Sequence, residues 1–292
     1  MDLLAAVHHP IFQSLILPLL LSLLGVGVLR TMAGSGRAVC ALGLSFLLSV
    51  VWMIGWPTNP GTILQRLPWV FALAWLAGVA LALTAGSRLL HGLVLSGAWL
   101  AASWWLGSRD VTETLLFPLL FPLVGVLVIV GLLRASEKRA EAATMVVVAG
   151  VGLAGLAFAA GSLMLFQLSL MLAAAVGGVA LWQWPRARIR FGVAGVGVAA
   201  IAWLALAQSA LLLTPASPIA VALLCLAFSC TMLSAPILGR LPGGHRDLAA
   251  PPVLAVLAGA FVAAALLLQG IAGNDSPGGK SDASANDPYY PR

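Results

Sequence analysis

The sequence predicts an all-α, polytopic integral membrane protein, a bundle of about ten transmembrane helices, and three observations predict it. Hydrophobic residues make up 61% of the 292 positions and charged residues only 8%, whereas an ordinary soluble domain is about a quarter charged. Apolar runs of about 20 residues, the length of helix that crosses a ~30 Å hydrocarbon core, recur along the whole chain. Basic residues fall almost entirely in alternate connections between those runs. With a mean hydropathy of +1.06, the composition excludes a water-soluble enzyme, a disordered chain and a fibrous one.

The runs place helices at Ile11–Leu29, Ala38–Trp56, Trp69–Thr84, Leu89–Gly107 and Val111–Leu133 in the first half. The second half holds Ala143–Ala160, Leu163–Trp184, Phe191–Thr214, Pro218–Leu238 and Pro252–Ile271. The N-terminal run follows an acidic Asp2 and precedes the first basic residue, Arg30. A cleavable signal has the opposite polarity, so this run reads as a retained first helix. Two stretches must be divided. Ala143–Trp184 carries no charge and would extend about 63 Å as one helix at 1.5 Å per residue, so Gly161-Ser162 is its natural turn. Phe191–Leu238 is divided by Thr214-Pro215-Ala216-Ser217-Pro218, because proline cannot continue a helix and restricts the residue before it.

Loop charge then orients the ladder. Arg30, Arg37, Arg88, Arg134, Lys138, Arg139, Arg186, Arg188, Arg190, Arg240 and Arg246 follow odd-numbered helices, while only Arg66 and Arg109 follow even-numbered ones. Such an imbalance marks the cytoplasmic side. It predicts a multi-pass protein of the plasma (bacterial inner) membrane with both termini extracytoplasmic. Residues 1–272 form one transmembrane domain, divisible into five-helix halves at 11–133 and 143–271, the arrangement of inverted-repeat transporters. The tail from Gly273 to Arg292 is rich in Gly, Ser, Pro, Asn and Asp and reads as disordered, since it has too little apolar area to offset chain entropy.

Chemistry is sparse. Every Asp, Glu, Lys and Arg can be assigned to a loop, the tail or a first helical turn, which argues against a mid-membrane carboxylate relay. Cys40, Cys225 and Cys230 lie in apolar runs at a spacing that fits neither a disulfide framework nor a metal site. No metal, no cofactor and no nucleic-acid partner is expected, because no basic face with interleaved aromatics exists.

The candidate site residues lie towards the outer face. Arg109, Asp110 and Glu113 open helix five, where the acids can cap the backbone and suit the helix dipole; with Arg66 and Gln65 they can also line a vestibule. Trp52, Trp56, Trp69, Trp104 and Trp105 cluster at the outer ends of helices two to four. An interfacial aromatic belt explains them, and an aromatic-walled pocket is the alternative. Pro118 and Pro122 predict a kink in the outer half of helix five. Gln167 and Gln208 lie at membrane depth, bonded to each other as interhelical glue or facing a polar cavity. Small residues at four-residue spacing, among them Gly150 with Ala154 and Ala255, Gly259 and Ala263, predict tight packing in the second half.

Span count, the kinked helix and the glutamines together point to a small-solute secondary permease or exporter. The alternative is a non-catalytic membrane subunit or scaffold. Partners are the lipid bilayer and either another membrane protein or further copies of this chain.

Overall fold

The computed structural model describes residues 9–84, 86–107, 116–137, 140–185, 187–239 and 243–274. Every element among them is helical and none is a strand. In chain order they are α1 (Leu17–Ala33), α2 (Cys40–Ile54), α3 (Ile63–Leu83), α4 (Arg88–Gly107), α5 (Leu116–Ala135) and α6 (Glu141–Ala159). These are followed by α7 (Leu163–Gln183), α8 (Gly192–Leu213), α9 (Pro218–Leu226), α10 (Cys230–Leu238) and α11 (Gly243–Asn274). A π turn, Phe12–Ile16, leads into α1 and a 3₁₀ turn, Ala227–Ser229, joins α9 to α10. The π turn has a local cause: Pro18 supplies no N–H to Ser14, and the Leu17 N–H bonds instead to Phe12, five residues back.

Among the described residues, seven helices are long and apolar enough to cross a membrane: Phe12–Ala33, Ile63–Leu83, Arg88–Gly107, Glu141–Ala159, Leu163–Gln183, Gly192–Leu213 and Leu248–Ile271. Shorter apolar helices, Cys40–Ile54, Leu120–Ala135 and Pro218–Ser229, occupy the other three expected positions. Length and hydropathy thus support seven spans, and the expected figure of ten depends on these three. For the first and the last of these the reason is visible. Gly55, at φ +81, ends α2 in a left-handed conformation that suits glycine and is followed by Trp56-Pro57. The expected Pro218–Leu238 helix is broken at 227–229.

Several boundaries also differ. Helix α3 begins at Ile63, not Trp69, because Thr62 and Gln65 form a reciprocal capping box: Thr62 Oγ1 accepts from the Gln65 N–H and Gln65 Oε1 accepts from the Thr62 N–H. Arg66, expected in a loop, is therefore inside a helix. Helix α11 starts nine residues before the expected Pro252 and contains Pro251 and Pro252, so Arg246 lies in a helix and not in a connection. Helix α5 carries Pro118 in its first turn and Pro122 in its interior. The tail beyond Asn274 lies outside the described residues.

Contacts between helix termini fix their directions. Trp182, in the last turn of α7, donates to the Leu23 carbonyl and lies under Arg30 at the end of α1. Trp184 donates to the Leu248 carbonyl near the start of α11. Gly78, late in α3, abuts Ala194, early in α8, and Arg88, opening α4, pairs with Glu137 just after α5. Short connections join α3 to α4 and α7 to α8. The C-termini of α1, α3, α5 and α7 therefore share one end with the N-termini of α4, α8 and α11. The described arginines 30, 37, 88, 134, 188 and 190 gather at this basic end. At the opposite end α3 begins beside the end of α4, and α8 ends there too.

Helix α8 is the centre. Every residue from Ala194 to Ala210 is buried, and α2, α3, α4, α5, α6 and α7 all pack on it. Helices α1, α4 and α11 lie at the periphery and expose large side chains such as Leu24, Val28, Leu89, Leu93, Val256 and Leu267. Close approach is made by glycine. A Cβ on Gly78 would sit 3.0 Å from the Ala194 carbonyl oxygen, and one on Gly197 would sit 3.3 Å from Gly78 Cα. Gly150 likewise meets Ala173 of α7, where a Cβ would fall 3.1 Å from the alanine methyl. The expected stripe residue Gly259 faces nothing within 4 Å.

Between α4 and α5 a fully buried Trp99 donates from Nε1 to the Pro122 carbonyl at 3.0 Å and lies edge-on to Phe121. Gly125 makes room for it, since a Cβ there would lie 2.0 Å from the indole nitrogen. Gly125→Ala should therefore destabilise the bundle by about 1–3 kcal/mol through overpacking. Gly97→Ala, whose Cβ would meet nothing within 4 Å, should be neutral or slightly stabilising. Thermal melting of both variants in detergent checks this contrast.

Candidate functional site

The helix tightened at 227–229 borders a recess. No proline or glycine occurs at Ala227-Phe228-Ser229, so the tightened turn has no local breaker residue. It coincides with burial of the Phe228 ring, which meets fully buried Trp203 of α8 edge-on, with centroids 4.9 Å apart. Across from the break, α5 presents Gly131, where a Cβ would come 3.8 Å from the Phe228 carbonyl oxygen. The space between is a cleft of about 800 Å³. Leu127, Val130, Gly131 and Arg134 line it from α5; Cys225, Ser229 and Thr231 line it from the broken helix. This volume lies within the range of small-molecule sites, which are mostly apolar with a few placed polar groups. Arg134, in the last turn of α5, is exposed and puts a cation at the basic end of a mostly apolar recess.

A second polar constellation sits at the other end. Arg66 is only 4% exposed. Its Nη1 donates to the Trp105 carbonyl at 2.5 Å, and its guanidinium lies 5.9 Å from the Trp105 ring centroid. Trp105 is in the last turn of α4, whose final carbonyls lack intrahelical donors and carry the negative end of the helix dipole. Arg66 thus acts as a cationic cap on α4. Gln208 of α8 donates from Nε2 to the Ser103 carbonyl at 3.0 Å, so two side chains from different helices converge on one terminus. The Gln208 Oε1, Ser103 Oγ and Arg66 Nε atoms are buried without a hydrogen-bond partner.

The structure thus brings Arg66 and Gln208 together through α4, although not as the walls of an open vestibule. Arg109 and Glu113 lie outside the described residues. Gln167 is half-buried on α7 and does not bond to Gln208, whose amide is committed to Ser103. Trp52, Trp56 and Trp104 are exposed at 60%, 41% and 75%, pointing away from the interior. Trp56 lies edge-on to Trp69, which donates to the Pro57 carbonyl. Pro122 serves as acceptor for Trp99. The Pro118 side chain lies outside the described residues.

Sequence reasoning missed the cleft. In the sequence Arg134 reads as a loop charge, and Cys225, Ser229 and Thr231 fall within an expected continuous helix. The capping box at Thr62-Ile-Leu-Gln65 was a readable sign that Arg66 is helical. Among the described residues, no three His, Cys, Asp or Glu side chains gather as a metal site would need.

Gln208→Ala should cost about 1 kcal/mol, the net value of one buried hydrogen bond. A lowered melting temperature in detergent is the expected reading, and an unchanged one would remove Gln208 as an interhelical tie. Comparison of the chain with protein-family models, with curated proteins and with solved structures found no match.

Proposed function

We propose that the chain is a small-solute permease or exporter of a bacterial inner membrane, and that the cleft between α5 and the broken helix is where solute is held. The observation that carries this reading is the interrupted helix itself. A 3₁₀ stretch inside a helix often marks a functional hinge, and irregular helices flank the binding sites of many transporters. Here the interruption faces a cleft of about 800 Å³. The lining suits a compact organic solute with one anionic group, its apolar body against Leu127 and Val130 and its charge towards Arg134.

The same reading has the chain crossing ten times with both termini extracytoplasmic. Helices of alternating direction and basic connections gathered at one end support it. The short helices would be accommodated by local bilayer thinning, at fractions of a kcal/mol per Å of mismatch.

Benzoate flux into proteoliposomes holding the purified full-length chain tests the proposal. The wild type should exceed empty vesicles. Gly131→Leu and Cys225→Trp, which fill the cleft, should each reduce flux at least about tenfold, the effect of a misplaced binding group. Flux equal to that of empty vesicles, together with a stoichiometric partner retained in mild detergent, would replace transport by the subunit or scaffold reading. Alkaline phosphatase fused after Arg292 should be active in cells, and an inactive but membrane-inserted fusion would reverse the orientation.

A further inference from the structure

The basic end of the bundle contains a feature that neither the cleft nor the outer constellation uses. Trp182 lies across α1: its Nε1 donates to the Leu23 carbonyl at 3.0 Å, and Gly27 leaves room for the ring, since a Cβ there would sit 3.2 Å from Cζ2. Two guanidiniums from separate elements then approach this one indole. Arg30 of α1 has its Cζ 5.4 Å from the ring centroid, and Arg188, beyond α7, has its Cζ 5.9 Å away. The Arg188 backbone N–H also donates to the Trp182 carbonyl at 3.1 Å, which holds the loop in register with the indole.

The two cations are therefore within roughly 11 Å of each other, about one Debye length at 0.1 M salt, so their repulsion is incompletely screened. Neither pairs with an acid among the described residues. Cation–π contact attracts each arginine to the ring without cancelling the charge. An anion beside the indole would cancel it. The surroundings indicate which anion: Leu24 on α1, next to the Leu23 whose carbonyl the indole bonds, and Leu181, next to Trp182 on α7, are 64% and 58% exposed. This apolar skirt beside paired arginines matches acyl chains below a phosphate. Basic pockets between transmembrane helices are a recognised mode of anionic headgroup binding.

We infer that Arg30, Trp182 and Arg188 form a binding site for the phosphodiester of an anionic phospholipid, seated where α1 meets α7. The site is independent of whether the chain transports anything. Binding is measured by native mass spectrometry on the full chain in detergent, titrated with phosphatidylglycerol, phosphatidylcholine or soluble glycerol phosphate. Phosphatidylglycerol should bind more tightly than phosphatidylcholine, and its affinity should fall about fivefold for each arginine changed to glutamine. Arg37→Gln, at the same end but without an indole contact, should leave the affinity unchanged. Arg188→Gln alters an exposed loop side chain, so it reports even where the Arg30→Gln variant fails to fold. Equal phosphatidylglycerol affinity in the wild type and Arg188→Gln would overturn the site. So would an equal loss in Arg37→Gln, parity between the two lipids, or glycerol phosphate binding as tightly as the lipid.

Discussion

Helices in lipid gain nothing from hiding apolar surface from one another, because the acyl chains are as apolar as leucine. Cohesion must come from close packing, and the closest packing here surrounds α8. Its alanine- and glycine-rich stretch is buried from Ala194 to Ala210, and it meets α3 where Gly78, Ala194 and Gly197 bring backbone against backbone. Dispersion between atoms falls off steeply with separation. A single Cβ at this crossing would therefore separate the two helices and loosen the ring of neighbours arranged round α8.

Polar groups are added to this frame sparingly, and mostly by borrowing backbone. Arg66 and Gln208 both bond to carbonyls near the end of α4, and Trp75, Trp99 and Trp182 donate to the carbonyls of Cys40, Pro122 and Leu23 on neighbouring helices. Indole is suited to this role, being large enough to fill a helix–helix groove and carrying one donor that needs one acceptor. Glycines beside the rings, Gly27 for Trp182 and Gly125 for Trp99, set the depth to which each is inserted. By contrast the Arg88–Glu137 pair is solvent-exposed on both sides and contributes little, as surface ion pairs generally do.

The break at Ala227–Ser229 links this packing to the proposed function. Phe228 turns inward against Trp203, and the helix that would otherwise lie flat along α5 instead leaves a recess. Phe228 also borders the cleft. Gly131 on the facing helix keeps the opposite wall low.

All-helical membrane architecture was determined by composition alone, because no arrangement other than helices or closed barrels satisfies the backbone within lipid and the apolar runs were of helical length. The gathering of arginines at one end was likewise legible, since it follows from the alternation of loops. Tertiary structure decided the rest. Whether Gly78, Gly150 or Gly259 stands at a crossing depends on which helices are neighbours, and four-residue spacing does not carry that information. Arg66 became a cap on α4, and Gln208 bonded to Ser103 instead of Gln167, because α4 and not α7 lies against them at that level. The 3₁₀ turn at Phe228 has no proline or glycine to announce it; it coincides with a contact to Trp203, twenty-five residues away in sequence, that exists only once the helices are packed together.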